Sequence, residues 1–257
     1  MGRDREPLPT RVADTPDLPA AYHDALAAGL ADLGLVPSED ARAAIDGHVR
    51  LLLAWTTAIN LTGVRAPGTV ALQHVVDSLS AVDLLRATAP ATLLDLGSGG
   101  GFPGLPLAAM LPGTVVTLLE PIAKKARFLT TVVAATGLTD RVTVRTARAE
   151  ALVGDVVSGG GWSVVTARAV ASSAELIELA FPLLRPRGVL IAWKRGDLDE
   201  ELAAAQRAID ALGGGTLGRA PVAARGLEGH ELVVATRTGR VPGGYPRDPA
   251  ARRRRPW

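Results

Sequence analysis

The stretch Asp95-Leu96-Gly97-Ser98-Gly99-Gly100-Gly101-Phe102-Pro103-Gly104 has residue types and a spacing that can do chemistry. Glycines at this density accept positive φ and leave amide N–H groups bare, so backbone can close on a polar or anionic ligand where a helix begins. The apolar run before it, Leu93-Leu94, marks a buried strand feeding the turn. Asp95, at that strand's end, is placed to reach an ammonium group across the same crevice. Glu120 ends a second β-branched run, 19 residues beyond Gly101. A carboxylate there can accept from both hydroxyls of an adenosine ribose. The same acid, just before Pro121, can instead start a helix.

Gly99, Gly101 and Gly104 also spell the dinucleotide pattern G-x-G-x-x-G. In that pattern the strand flows straight into the first glycine, here Gly97, and this register puts Phe102 where the third glycine belongs. The D-x-G-x-G-x-G reading from Asp95 to Gly101 needs no adjustment and matches the S-adenosylmethionine loop. The expected cofactor is S-adenosyl-L-methionine, held by Asp95, Gly97, Gly99, Gly101 and Glu120. A dinucleotide oxidoreductase is disfavoured.

Elimination narrows the methyl acceptor. Attack through pyrimidine C5 uses a cysteine nucleophile, and the chain has no cysteine. Exocyclic amines are usually held by an Asn/Asp-Pro-Pro-aromatic turn after the fourth strand, where this chain reads Thr166-Ala167-Arg168-Ala169-Val170. Guanine N7 carries an in-plane lone pair and no proton, so transfer to it needs alignment more than a base. Arg168 can bond guanine O6 or form a salt bridge at the sheet edge. His74 and Asp77, one helical turn apart, read as packing near the crevice mouth, and with four histidines and no cysteine no metal site is expected.

The elements that must position these groups follow a simple order. Leu18 to Leu33 has helical spacing, Ser38 starts a second helix running to about Ile59, and a third spans Thr69 to about Arg86. From Thr92 short β-branched runs alternate with helical stretches, the pattern of a parallel sheet covered on both faces. Strands are expected at 92–96, 114–119, 141–145, 162–166 and 188–193, with helices at 104–110, 122–135, 172–184 and 198–212. Two further strands, 217–223 and 231–236, have no helix between them and should pair antiparallel. The fold class is thus α/β, Rossmann-like: a seven-stranded, mostly parallel sheet with an antiparallel terminal hairpin and an N-terminal helical cap. The expected organisation is a disordered tail over 1–16, the cap over 17–90, the sheet domain over 91–237 and a disordered basic tail over 238–257.

At 257 residues, 47% of them hydrophobic, the chain can bury one large core. It has neither a bilayer-length apolar run nor an apolar leader, which points to the cytoplasm and away from membranes. The net charge of +2 is uneven: seven arginines against one acid give the last 21 residues +6, leaving −4 for the rest. Only the tail is basic, as a solvated tail or an RNA-contacting arm.

Asn60-Leu61-Thr62, His74-Val75-Val76-Asp77-Ser78-Leu79 and the glycine stretch through Leu107 together resemble the bacterial glucose-inhibited division protein B family, the methyltransferase G enzymes of small-subunit ribosomal RNA. Lys124 to Leu129, Ala167-Arg168-Ala169 and Trp193-Lys194 continue the resemblance, which covers roughly residues 20 to 237. It implies transfer from S-adenosylmethionine to N7 of a guanine in 16S ribosomal RNA near the decoding centre. It also implies that Gly97 and Phe102 line the cofactor pocket, that Ala149 and Glu150 contact the adenosine end, and that Arg168 lies beside cofactor and target base as the catalytic residue. Lys124, Lys125, Arg127 and Lys194 are candidate RNA contacts. The expected partner is 16S ribosomal RNA within the small subunit or its assembly intermediate, met by a monomer. The alternatives are a small-molecule methyltransferase and a ribosome-assembly factor that keeps the pocket without turnover.

Overall fold

A computed structural model describes residues 7–154, 156 and 160–257. The part of the expected N-terminal tail over residues 1–6 lies outside the described residues. Five strands run parallel: β1 (Thr92–Leu96), β2 (Val115–Leu119), β3 (Val142–Arg145), β4 (Trp162–Arg168) and β5 (Leu184–Arg195). β6 (Gly215–Pro221) and β7 (His230–Arg237) form the antiparallel hairpin, and the sheet order is β3-β2-β1-β4-β5-β7-β6. β7 therefore lies inside, against β5, and β6 takes the edge. The order reverses at β1, whose neighbours are β2 and β4, and a crevice opens at such a point beyond the strands' carboxyl ends.

Alternation along the strands builds two cores. Leu93, Val164 and Ile191 point to one face and Leu94, Val165 and Leu190 to the other. On the first face lie α1 (Ala20–Asp32), α2 (Glu39–Trp55), the helical segment α3 (67–79), α4 (Val82–Thr88), α5 (Gly104–Met110) and α6 (Ala123–Ala135). Tyr22, Leu26, Ile45, Leu52 and Phe128 belong to the same buried cluster as Val116 and Leu118. The N-terminal helices are thus one layer of the sheet's own core, each fully buried leucine-sized side chain contributing about 1.5–3 kcal/mol. Ser38 starts α2 as its sequence suggests, its Oγ accepting from the Ala41 amide at 3.2 Å. α7 (Ser173–Ala180) and α8 (Asp199–Ala211) cover the second face.

Two expectations change. The third helix is broken: α3 comprises Pro67–Val70, a π-helical turn Ala71–Val76 and Asp77–Leu79, and α4 follows separately. The cause is competition for its carbonyls. Arg168 donates to Gln73 O at 3.0 Å, Ser78 Oγ donates to His74 O, and Trp193 Nε1 and Ser80 Oγ donate to Asp77 O at 2.6 and 2.7 Å.

The ends are also more ordered than their composition suggests. Residues 7–16 include the 3₁₀ turn Val12–Asp14, and Pro9 O accepts from the Trp55 indole at 2.7 Å. In the C-terminal segment Asp248 caps a helix α9 (Pro249–Arg254), accepting from the Ala250 and Ala251 amides at 2.9 Å. Arg247 meets the fully buried Glu178 carboxylate through Nη2 at 2.6 Å and through its own amide at 2.7 Å; the Trp257 indole adds a bond at 2.7 Å. Burial would raise the Glu178 pKa, yet these donors hold it below the ordinary glutamate value. The arginines fold because acids on α7 answer them. Arg247→Ala should cost about 3 kcal/mol, since it leaves a buried carboxylate short of its cation. A lower urea midpoint at unchanged slope is expected; a loss below about 0.5 kcal/mol would be the result for an ordinary surface pair.

Candidate active site

The turn after β1 is built by its own acids. Gly97 (φ +69°), Gly99 (φ +54°) and Gly101 (φ +93°) take backbone that side chains resist. Gly97 and Ser98 amides donate to Leu119 O at 2.8 and 3.1 Å, tying the turn to the end of β2. Glu120 Oε2 accepts from the Gly99 amide and Oε1 from the Ile122 amide, both at 2.9 Å. Of the two sequence readings of Glu120 the helix start is present, and the same carboxylate also braces the loop.

Asp95 departs from expectation. Register sets it beside Thr166, whose hydroxyl donates to Oδ1 at 2.8 Å, and Oδ2 accepts from the Gly104 amide at 3.2 Å. Its side chain is fully buried beneath the loop, outside the crevice lining, so it is a brace rather than a group facing an ammonium. Burial raises its pKa to about 6. Gly101 likewise lies underneath, where a Cβ would come within 2.4 Å of Leu105 and 2.8 Å of His48. At Gly104 a Cβ would meet Leu118 at 2.5 Å, which is why α5 can lie so close to the sheet.

Arg168 ends β4, and Ala169 follows at φ +56°, a left-handed turn uncommon for a residue other than glycine. Nη1 donates to Gln73 O at 3.0 Å and Asp77 Oδ2 at 3.1 Å, while Nη2 makes only a 3.5 Å contact with His74 Nδ1. The guanidinium carbon lies 5.2 Å from the centre of the Phe102 ring. Burial pulls the Arg168 pKa down and Asp77 opposes this. Asp77, itself buried, also takes His230 Nδ1 on Oδ1 at 3.0 Å. Of its two sequence readings the salt bridge is present, and Arg168 also lines the crevice.

Two cavities meet at Gly97. One of about 570 Å³ is lined by Thr62, Gly97, Gly99, Phe102, Lys125 and Arg168, among others. The other, about 210 Å³, is lined by Gly97, Ala149, Glu150, Val170, Glu175 and Arg252, among others. A Cβ on Gly97 would stand 2.9 Å from Val170 Cγ2, across the neck between them. The pair is sized for a small-molecule ligand with two unlike ends. A larger hollow of about 850 Å³, bounded by Val36, Met110, Leu138 and Arg141, lies near the amino ends of β2 and β3, away from the glycine turn and the strand carboxyl ends.

Of the expected site residues, Gly97, Gly99, Phe102, Arg168, Ala149 and Glu150 line the cavities, whereas Asp95, Gly101 and Glu120 support them. Among the expected RNA contacts, Lys125 reaches the rim, and Lys124 and Arg127 are exposed on α6, Arg127 lying 6.0 Å from the Trp55 ring centre. Lys194 also lines the larger cavity, but its ammonium is held by Glu201 Oε1 at 2.6 Å and Ala171 O at 2.7 Å, so it secures the α7 and α8 entries. Val170, His230 and Arg252 escaped the sequence reading. Only the partners that fold around them give them a role.

The residues from 42 to 218 match the family model described as rRNA small subunit methyltransferase G, GidB. Ribosomal RNA small subunit methyltransferase G of Roseiflexus sp. (strain RS-1) is 42% identical over 205 residues, 80% of this chain and 87% of the relative. The protein of the same name from Chloroflexus aggregans is 41% identical over 225 residues, 87% and 93% of the two chains. Among solved structures, an O-methyltransferase from Bacillus cereus in complex with SAH aligns at TM-score 0.52 and 18% identity, covering 80% of this chain and 94% of that one. Cofactor-bound Rv0187 from MTB aligns at 0.53 and 21%, covering 76% and 91%. At those identities the likeness is one of fold.

His48 supplies a pH test of the loop. Its Nε2 lies 2.7 Å from Gly100 O, which can only accept, so Nε2 carries the hydrogen and buried Nδ1 has no partner among the described residues. Burial lowers its pKa from 6.5 to about 4. Between those values the unfolded chain binds the proton and the folded chain does not, so stability falls as pH drops from 6.5 to 4. Asp95 acts oppositely over part of that range but is common to wild type and variant. In His48→Gln the acid-linked loss of unfolding free energy between pH 7 and pH 4 should shrink by roughly 3 kcal/mol. Identical pH profiles for the two proteins would contradict a buried neutral imidazole.

Proposed function

Because this chain belongs to the rRNA small subunit methyltransferase G family, we propose that it transfers a methyl group from S-adenosyl-L-methionine to N7 of a guanine in 16S ribosomal RNA. The observation that carries this is a fixed guanidinium, Arg168, facing the cavity that the glycine turn floors. The bound cofactor supplies an electrophilic methyl on a sulfonium. Gly97, Gly99 and Phe102 would hold its methionine half in the larger cavity, and Ala149 and Glu150 its adenosine half in the smaller. Glu120 keeps lone pairs beyond the two that the Gly99 and Ile122 amides occupy, enough to accept from ribose hydroxyls.

The protein's part in the step is orientation. Nη1 of Arg168 is spent on Gln73 and Asp77, which locks the plane of the group, while Nη2 retains donor capacity for a guanine O6. With O6 so held, N7 on the same base edge is turned toward the methyl. No side chain has to take a proton, since N7 has none to lose. This suits the site: burial lowers the His74 pKa to about 4, helped by Arg168, so it is neutral at pH 7, and Asp77 is tied to Arg168 and His230. The acceptor's phosphates would meet Lys124 and Lys125 at the rim. The acceptor is the small ribosomal subunit or its assembly intermediate, and the protein acts there as a monomer.

Binding and transfer should separate genetically. Gly97→Val places atoms where Val170 already lies 2.9 Å from a bare Cβ, at φ +69°, and should abolish cofactor binding measured by calorimetry. Arg168→Ala should keep cofactor affinity within about threefold while losing on the order of 100-fold in methyl transfer to small subunits, the scale for removing one oriented donor at the reacting group. Equal loss of cofactor affinity in both variants would remove the separate role of Arg168.

A further inference from the structure

The C-terminal segment reaches the smaller cavity. Arg252, on α9, lines it and is 9% exposed at its side chain. Its Nη2 donates to Glu150 Oε1 at 2.6 Å and its Nε to Glu175 Oε1 at 3.1 Å. Glu150 stands on the 3₁₀ turn Ala149–Leu152 after β3, and Glu175 in the first turn of α7. One guanidinium therefore bonds both walls of the cavity. The segment is held from behind, outside the cavity, where Arg247 and Trp257 converge on Glu178 and the Arg247 guanidinium carbon lies 4.8 Å from the Trp257 ring centre.

We propose that Arg252 is a positioning residue of the adenine subsite, and that the C-terminal segment is a wall of the cofactor pocket rather than an appendage to it. This rests on the reading that the smaller cavity takes the adenosine end. Glu150 and Glu175 are the acids there, and Glu150, pinned through Oε1, keeps acceptor capacity for the exocyclic amine of adenine. Without Arg252, Glu150 is free to turn into solvent, and its bond to the amine is made only after its rotamer is fixed at binding. The consequence is base selectivity. A hypoxanthine ring offers a carbonyl oxygen where adenine offers the amine, so it gains nothing from a fixed Glu150 and loses nothing when Arg252 goes.

The test uses the full chain, with S-adenosylhomocysteine and its inosine counterpart as calorimetric probes. Arg252→Ala should bind S-adenosylhomocysteine about tenfold more weakly and the inosine analogue within twofold of wild type. The KM for S-adenosylmethionine should rise by about the same tenfold. Arg252→Lys keeps the charge but reaches one carboxylate in place of two, and should show the same selective weakening at about threefold. Unchanged S-adenosylhomocysteine affinity in both variants, or an equal loss for both probes, overturns the assignment while leaving the cofactor site standing. Absence of S-adenosylhomocysteine binding by the wild-type protein overturns the site itself.

Discussion

A carboxylate shut away from water holds the crevice open in one shape. Asp77 takes Arg168 on one oxygen and His230 on the other, while its own carbonyl receives the Trp193 indole. Four elements, α3, β4, β5 and β7, are thereby fixed at one point beside the glycine turn. Removing one member of such a buried pair leaves a charge without its partner, at a cost of about 3–5 kcal/mol. The same bonds draw the Gln73 and His74 carbonyls out of a regular ladder and give α3 its π-helical turn. Arg168 is thus oriented by the fold before any ligand arrives. Preorganisation of that kind is what a reaction needing alignment without a base requires.

The same economy of charge organises the rest of the site. Asp95 and Glu120 are spent on the glycine loop, leaving glycine backbone, Phe102 and Arg168 to face the larger cavity. Phe102 lies between His48, His74 and Arg168, with ring centres 4.5 and 5.0 Å from the two imidazoles, so an apolar plate separates the loop from the cation. On the other side of Gly97 the acids Glu150, Glu175 and Glu178 hold Arg247 and Arg252 of the C-terminal segment. A basic terminus and an acidic body complete each other, which explains a small net charge without a uniformly basic face.

Local signals in the sequence carried most of the fold. Short β-branched runs, helical spacing, Ser38 as a cap and the glycine turn each specify their own neighbourhood, and all seven strands lie where those signals put them, with ends shifted by a few residues. The glycine turn was legible in its spacing, whereas Arg168, open to a base contact or a salt bridge, was singled out by the family resemblance. What the sequence withheld is long-range. The break in α3 depends on donors from β4 and β5, the order of the terminal segment depends on acids more than 65 positions away, and Lys194 is occupied by Glu201. Asp95 was misplaced for a similar reason: its residue type fits an ammonium, but the register beside Thr166 turns it under the loop.

The central claim is that an oriented guanidinium, working without a base, directs methyl transfer to a ring nitrogen of guanine in ribosomal RNA. The most direct measurement is incorporation of labelled methyl from S-adenosylmethionine into small ribosomal subunits from a strain lacking this gene, with the modified base mapped by mass spectrometry. Label at N7 of a single guanine in 16S ribosomal RNA is the predicted result. Label on an exocyclic amine or a ring carbon, or none in subunits while the protein binds cofactor, would contradict it.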